Sequence, residues 1–184
     1  MQMRMQGRAK GLALGGLFLA AALLLSYVES ILGLHISFLP GMKIGLANVV
    51  IAFTFFEISK KTAAAVSFGR VLIMGILFGS AISFLYSAFG ALLSFGGMLL
   101  ISRFEKSVSY VGTSVLCACL HNVGQSAVAA CFFGIEVASF YLPYLLICGV
   151  CFGSFTGALL NFISKKYLGV VFKLENLLYC WLCC

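Results

Sequence analysis

Apolar residues run along this chain in six long stretches, broken by short segments where glycine, serine, proline and charge collect. A membrane-crossing helix needs about 20 mostly apolar residues. On that measure spans are expected at 11–34, 43–58, 62–80, 81–102, 108–134 and 140–163. Residues 1–10 form a basic lead-in. The apolar run behind them is too long for a secretory leader and has no convincing small-residue cleavage site, so the first span is expected to stay uncleaved. Residues 164–184, "SKKYLGVVFKLENLLYCWLCC", mix apolar and charged positions in the manner of an amphipathic tail lying at the membrane interface. The expected fold is all-α: a polytopic membrane protein whose six transmembrane helices form the domain 11–163.

Small residues mark the packing seams. In "SAISFLYSAFGALLSFGG", Ser80, Ser83, Ser87, Gly90, Ser94 and Gly97 recur at helical spacing, so one face lets a neighbouring backbone come close. Span six repeats the device with Gly149, Gly153 and Gly157. Both are expected to pack within the molecule. Span one carries Ala9 and Ala13 overlapping Gly11 and Gly15, and here docking onto a separate membrane subunit is an equal expectation.

Charge then sets the topology. With the N-terminus inside, the inner segments hold Arg4, Arg8, Lys10, Lys60, Lys61, Arg103, Lys106, Lys165, Lys166 and Lys173, which is every Lys and Arg of the twelve except Lys43 and Arg70. This matches the positive-inside rule and places both termini in the cytoplasm, with the chain in the cell (cytoplasmic) membrane. Composition agrees: 62% of the 184 residues are hydrophobic and 9% charged, against about 45–50% and about 25% in soluble domains. No nucleic-acid partner is expected.

Composition also removes function classes. All five acidic residues are Glu, at 29, 57, 105, 136 and 175. Chemistry that grips a diphosphate through Mg²⁺ relies on clustered carboxylates, usually Asp, and the chain has no Gly-rich phosphate loop ending in Lys-Ser/Thr. Any nucleotide-driven step must come from a partner. Cys148-x-x-Cys151 has metal-ligand spacing, but without a second pair or a neighbouring His it reads as two small apolar residues, and no metal site is expected. No nucleophile–base pair stands out, so no catalytic residue is assigned and the chain is read as a non-enzyme.

The polar residues inside the spans are what need a reason. Arg70 lies near the middle of span three, where insertion costs about 2.5–3.5 kcal/mol and an ionisable group is by default a functional hypothesis. A structural ion pair with Glu29, in span one, is the competing reading. In "PGMKIGLAN", Pro40-Gly41 opens an irregular turn into span two. The helix start behind it, with Lys43 beside it, favours an anion, although Lys43 could instead snorkel to headgroups. Asn48 follows about a turn deeper. In span five, "HNVGQS" sets His121 and Gln125 on one face with Asn122 beside them. They suit a polar substrate wall, a proton relay through His121, or an interhelical hydrogen-bond knot. Together Lys43, Asn48, Arg70, His121, Asn122 and Gln125 describe a pocket for an anionic or carbonyl-rich, partly apolar ligand arriving from outside.

"PGMKIGLANVV", "GRVLIMGILFGS", "SFLYSAFGALLS", "HNVGQ" and "YLPYLL" occur in this order, and over about residues 11–163 the chain resembles the Gx transporter family, also labelled heptaprenyl diphosphate synthase component I. That family is similar to the S components of energy-coupling factor (ECF) transporters. The resemblance implies a six-helix, vitamin-binding subunit driven by a membrane T subunit and two ATPases. It implies a substrate-pocket role for Lys43, Asn48, Arg70, His121, Asn122 and Gln125, and contact of Ala9, Gly11, Ala13 and Gly15 with the T subunit. It points to a flavin (riboflavin, FMN or FAD) as the transported ligand, with no intrinsic cofactor. The alternative is a non-catalytic membrane subunit associated with a heptaprenyl diphosphate synthase. A ligand pocket predicts that Arg70→Ala loses ligand but still folds; failure to fold would mark Arg70 as structural.

Overall fold

Serine and glycine set the helix boundaries. In this computed structural model, which describes residues 2–36, 45–78, 80–103 and 109–182 (side chains over 11–31, 45–77, 80–103 and 109–167), Ser80 and Ser109 are N-caps. Ser80 Oγ accepts from Ser83 N–H at 3.2 Å, and Ser109 Oγ from Gly112 N–H at 3.1 Å. Each satisfies an N–H that the first helical turn leaves without a partner. Gly134, at φ 92°, is the single residue between two helices, and Gly45, at φ 85°, opens another. That left-handed region is open to glycine at little cost.

Among the described residues the result is six helices: α1 Gln2–Ile36, α2 Leu46–Phe53, α3 Lys60–Phe78, α4 Ala81–Ile101, α5 Tyr110–Phe133 and α6 Ile135–Leu182. No strand occurs among the described residues. α2 widens into a π-helical turn, Thr54–Ile58, before the chain reverses at Ser59. Among the described residues four stretches are long and apolar enough to cross a membrane: Gly11–Ile31, Ala81–Ile101, Tyr110–Phe133 and Ile135–Tyr167. Leu46–Ile58 is shorter, and α3 carries Lys60, Lys61 and Arg70 within its 19 residues. The chain is therefore an all-α, multi-pass membrane protein, with six helices where six spans are expected and four that meet the spanning criterion by themselves. α6 runs through the expected boundary at 163–164 without a break.

Packing closes the helices into a ring: α5 lies between α4 and α6, α3 joins α4 to α1, and α2 fills the gap between α1 and α6. The small-residue seams are where the backbones meet. A Cβ built on Gly153 would lie 2.7 Å from Val115 Cα, one on Gly157 2.6 Å from Val111 Cα, and one on Gly124 2.7 Å from the Phe89 carbonyl oxygen. Expected intramolecular packing of spans four and six is thus what the fold contains. Gly153→Ala should lower the thermal midpoint in detergent, because overpacking costs about 1–3 kcal/mol and the obstacle is backbone. Gly96→Ala, which has open space around it, should not.

One end of the ring is filled and the other is not. At the filled end Phe53 stacks edge-on to Tyr167 at 5.3 Å, Phe55 meets Phe95 at 5.6 Å, and Thr54 is fully buried. Tyr110 donates to Glu57 at 3.0 Å, and Lys60 donates to Ser102 at 3.0 Å. Large apolar side chains such as Leu12, Ile76 and Phe140 face outward, as lipid contact requires. A cavity runs from the opposite half of the ring toward this filled end.

Candidate functional site

The cavity measures about 240 Å³ and takes residues from all six helices. It lies toward the ends of α1 and α3 and the starts of α2 and α4, and extends along α5 from Gln125 to Thr113 and along α6 from Leu145 to Thr156, with Met98 near the end of α4. α1 contributes Ser26, Glu29 and Ser30; α2 contributes Asn48 and α3 Arg70; α4 adds Ser83 and Ser87. α5 supplies His121, Asn122 and Gln125, and α6 Leu145 and Cys148. Of the pocket residues read from sequence, Asn48, Arg70, His121, Asn122 and Gln125 converge on this one space. Lys43 lies outside the described residues, as do Pro40 and Gly41 of the expected irregular turn. Gly45, at the end of that motif, does hold a left-handed conformation, and its carbonyl accepts from Asn48 N–H at 2.9 Å.

The convergence follows from what the membrane does to polar groups. Lipid offers no hydrogen bonds, so amides and charges turn inward. Each then has its own arrangement. Asn122 donates from Nδ2 to the Leu145 carbonyl at 2.6 Å; Gly149 leaves room for it, since a Cβ there would lie 2.8 Å from Nδ2. Asn122 thus ties α5 to α6 while lining the cavity. The His121 ring lies over Gly90, where a Cβ would come within 2.7 Å of Cε1 and Nε2, so the α4 seam positions the imidazole as well as the backbone. Gln125 is only 3% exposed, and its Oε1 has no hydrogen-bond partner among the described residues. Leaving a buried acceptor unsatisfied costs about 1–3 kcal/mol, so a donor brought to this position by water or ligand is rewarded.

Arg70 and Glu29 form the cavity's charged corner. Arg70 Nη1 donates to Ser26 Oγ across 3.4 Å, and Glu29 acts electrostatically on the guanidinium. Glu29 is 5% exposed, and its Oε1 accepts from Leu46 N–H, the first residue of α2. The helix start that the sequence offers to an incoming anion is therefore met by the protein's own carboxylate. Sequence reading took Glu29 as a partner for Arg70 and not as a lining residue. Its signal was present: a carboxylate inside an apolar span carries the same insertion cost as a lone Arg. Ser83 and Ser87 were likewise read as seam alone, yet both line the cavity.

The small residues assigned to partner docking lie elsewhere. Gly11 and Ala13 are exposed, nothing comes within 4 Å of a Cβ on Gly11, and a Cβ on Gly15 would lie 3.4 Å from the Thr62 methyl. The side chain of Ala9 is outside the described set. Among the described residues no three His, Cys, Asp or Glu side chains come together as metal ligands.

A ring of apolar helices around an internal cavity of mixed polar and apolar lining defines the class: a multi-pass membrane protein with a small-molecule-sized interior cavity. The family model described as heptaprenyl diphosphate synthase component I matches residues 18–163, and the chain belongs to that family, also called the Gx transporter family. No curated protein and no solved structure matches it.

Proposed function

We propose that this protein is the ligand-binding membrane component of an ECF-like transporter and that its cavity takes a small vitamin- or cofactor-type ligand, with a flavin (riboflavin, FMN or FAD) as the first candidate. The observation that carries this reading is the buried, partnerless Oε1 of Gln125 on the wall of a 240 Å³ cavity. Ligand pockets usually measure about 300–1,000 Å³ and combine apolar walls with a few placed polar groups; this cavity is slightly smaller and has that mixture. Carbonyl-rich heterocycles with a ring N–H offer the donor that Gln125 lacks, and acceptors for Arg70 and the Ser87 hydroxyl. On this reading the chain is not an enzyme. Energy comes from a T subunit and ATPases, which the sequence itself does not supply. The exposed Gly11–Gly15 edge of α1 is where the T subunit would dock. The cell membrane is its place, with both termini cytoplasmic by the distribution of Lys and Arg.

The family description favours a second reading, a non-catalytic membrane subunit beside a prenyl diphosphate synthase. A flavin-fluorescence titration of the detergent-purified protein separates the two. Saturable quenching by riboflavin, FMN or FAD is expected. A folded sample that quenches none of the three, yet co-purifies with a prenyl synthase, would replace the transport reading with the subunit one.

A further inference from the structure

Of the two described features of the cavity that could hold an anion, the start of α2 is already bonded to the Glu29 carboxylate, and the Arg70 guanidinium lies within that carboxylate's field. Glu29 accepts the Leu46 N–H at the start of α2 and acts on the Arg70 guanidinium, and it does so at 5% exposure. Among the described lining residues the formal charges are those of Glu29 and Arg70, which cancel when His121 is neutral. The other polar groups near them, Ser26, Ser30, Asn48 and Gln125, are uncharged. The Glu29 carboxylate, enclosed at this position, repels a second anion across a low-dielectric space, and the uncharged groups around it reward a neutral ligand that completes its hydrogen bonds. We infer that Glu29 is a specificity-determining residue: it holds the anion position of the cavity, so the site accepts uncharged, hydrogen-bonding ligands and rejects phosphorylated or carboxylated ones. This rests on the proposed ligand-binding role of the cavity. It narrows the expected ligand from anionic or carbonyl-rich to carbonyl-rich and neutral.

The two residues of the pair are not equivalent. Arg70 keeps surface on the cavity, where water or a ligand can reach it, whereas Glu29 is almost wholly enclosed. Replacing Glu29 by Gln keeps an acceptor for Leu46 N–H and frees Arg70 for an incoming anion. Replacing it by Asp keeps the charge.

The test uses the full-length protein in detergent, as wild type, Glu29→Gln and Glu29→Asp. Binding of riboflavin and FMN is read by fluorescence quenching, and the thermal midpoint is read with inorganic phosphate against chloride of matched ionic strength. Wild type and Glu29→Asp should prefer riboflavin to FMN by at least tenfold and show no phosphate-specific shift. Glu29→Gln should lose that preference and gain a phosphate-dependent rise in midpoint. Equal phosphate stabilisation of wild type and Glu29→Gln would overturn the assignment, as would a riboflavin-to-FMN ratio that the substitution leaves unchanged. If neither protein binds a flavin while phosphate stabilises only Glu29→Gln, the flavin reading fails and the role of Glu29 stands. If Glu29→Gln does not fold, the wild-type ratio decides: tighter FMN than riboflavin contradicts the assignment, and the reverse upholds it.

Discussion

Arg70→Ala should destabilise the folded protein by up to about 3–5 kcal/mol, the upper range for removing a charge that acts on a buried opposite charge. The loss comes from Glu29: at 5% exposure its carboxylate is shielded from water, and without Arg70 it loses a compensating positive charge while keeping the Leu46 N–H. The double variant Glu29→Gln/Arg70→Met should recover most of the loss, since replacing both charges by neutral groups of similar size is often neutral or better. Unfolding of the two single variants and the double variant in one detergent measures this. A coupling near zero would mean that the two residues do not stabilise one another. The sequence alone suggested that Arg70→Ala would separate a ligand role from a structural one. The position of Glu29 removes that clarity, because the variant is expected to lose stability whether or not Arg70 touches ligand, and the double variant becomes the cleaner probe.

Gln125→Met is expected to do the reverse: stabilise the empty protein and end ligand binding. The Oε1 of Gln125 is a buried acceptor without a donor. Replacing the amide with an apolar chain of similar volume removes a desolvation penalty of about 1–3 kcal/mol at a repacking cost usually below about 1.5 kcal/mol. The empty protein should therefore melt at the same temperature or higher, and added riboflavin should no longer raise that temperature. Strained or under-satisfied sites that are less stable than they could be are a common mark of function. A marked fall in the midpoint of Gln125→Met would instead assign the amide to holding α5 against its neighbours.

Much of this arrangement can be read from the chain because a membrane simplifies the physics. Apolar length maps directly onto helices, so α3, α4 and α5 begin and end within a few residues of the expected spans. Polar residues in such helices must turn inward, so Asn48, Arg70, His121, Asn122 and Gln125 could be grouped before their positions were known. Features set by tertiary packing were not legible. The π-helical turn at Thr54–Ile58 has no local signature; it sits where Thr54 and Phe55 are buried against the bundle. The continuation of α6 to Leu182 overrides an amphipathic pattern that alone suggests a separate tail. Glu29 could be paired with Arg70 on paper, but its hold on the first turn of α2 depends on the ends of α1 and α2 meeting across 17 residues of chain. Asn122 could not be told apart from Gln125 by sequence, yet one amide is bonded to Leu145 and the other has an acceptor with no donor.

The most direct test of the ligand-binding account is a riboflavin titration of the wild type and Gln125→Met side by side, followed by fluorescence quenching, with circular dichroism confirming that both are helical. The account predicts saturable one-to-one quenching by the wild type and at least a tenfold weaker response from the variant. Equal binding by both would place the flavin outside this cavity, and no binding by a helical wild type would contradict the flavin-binding role itself.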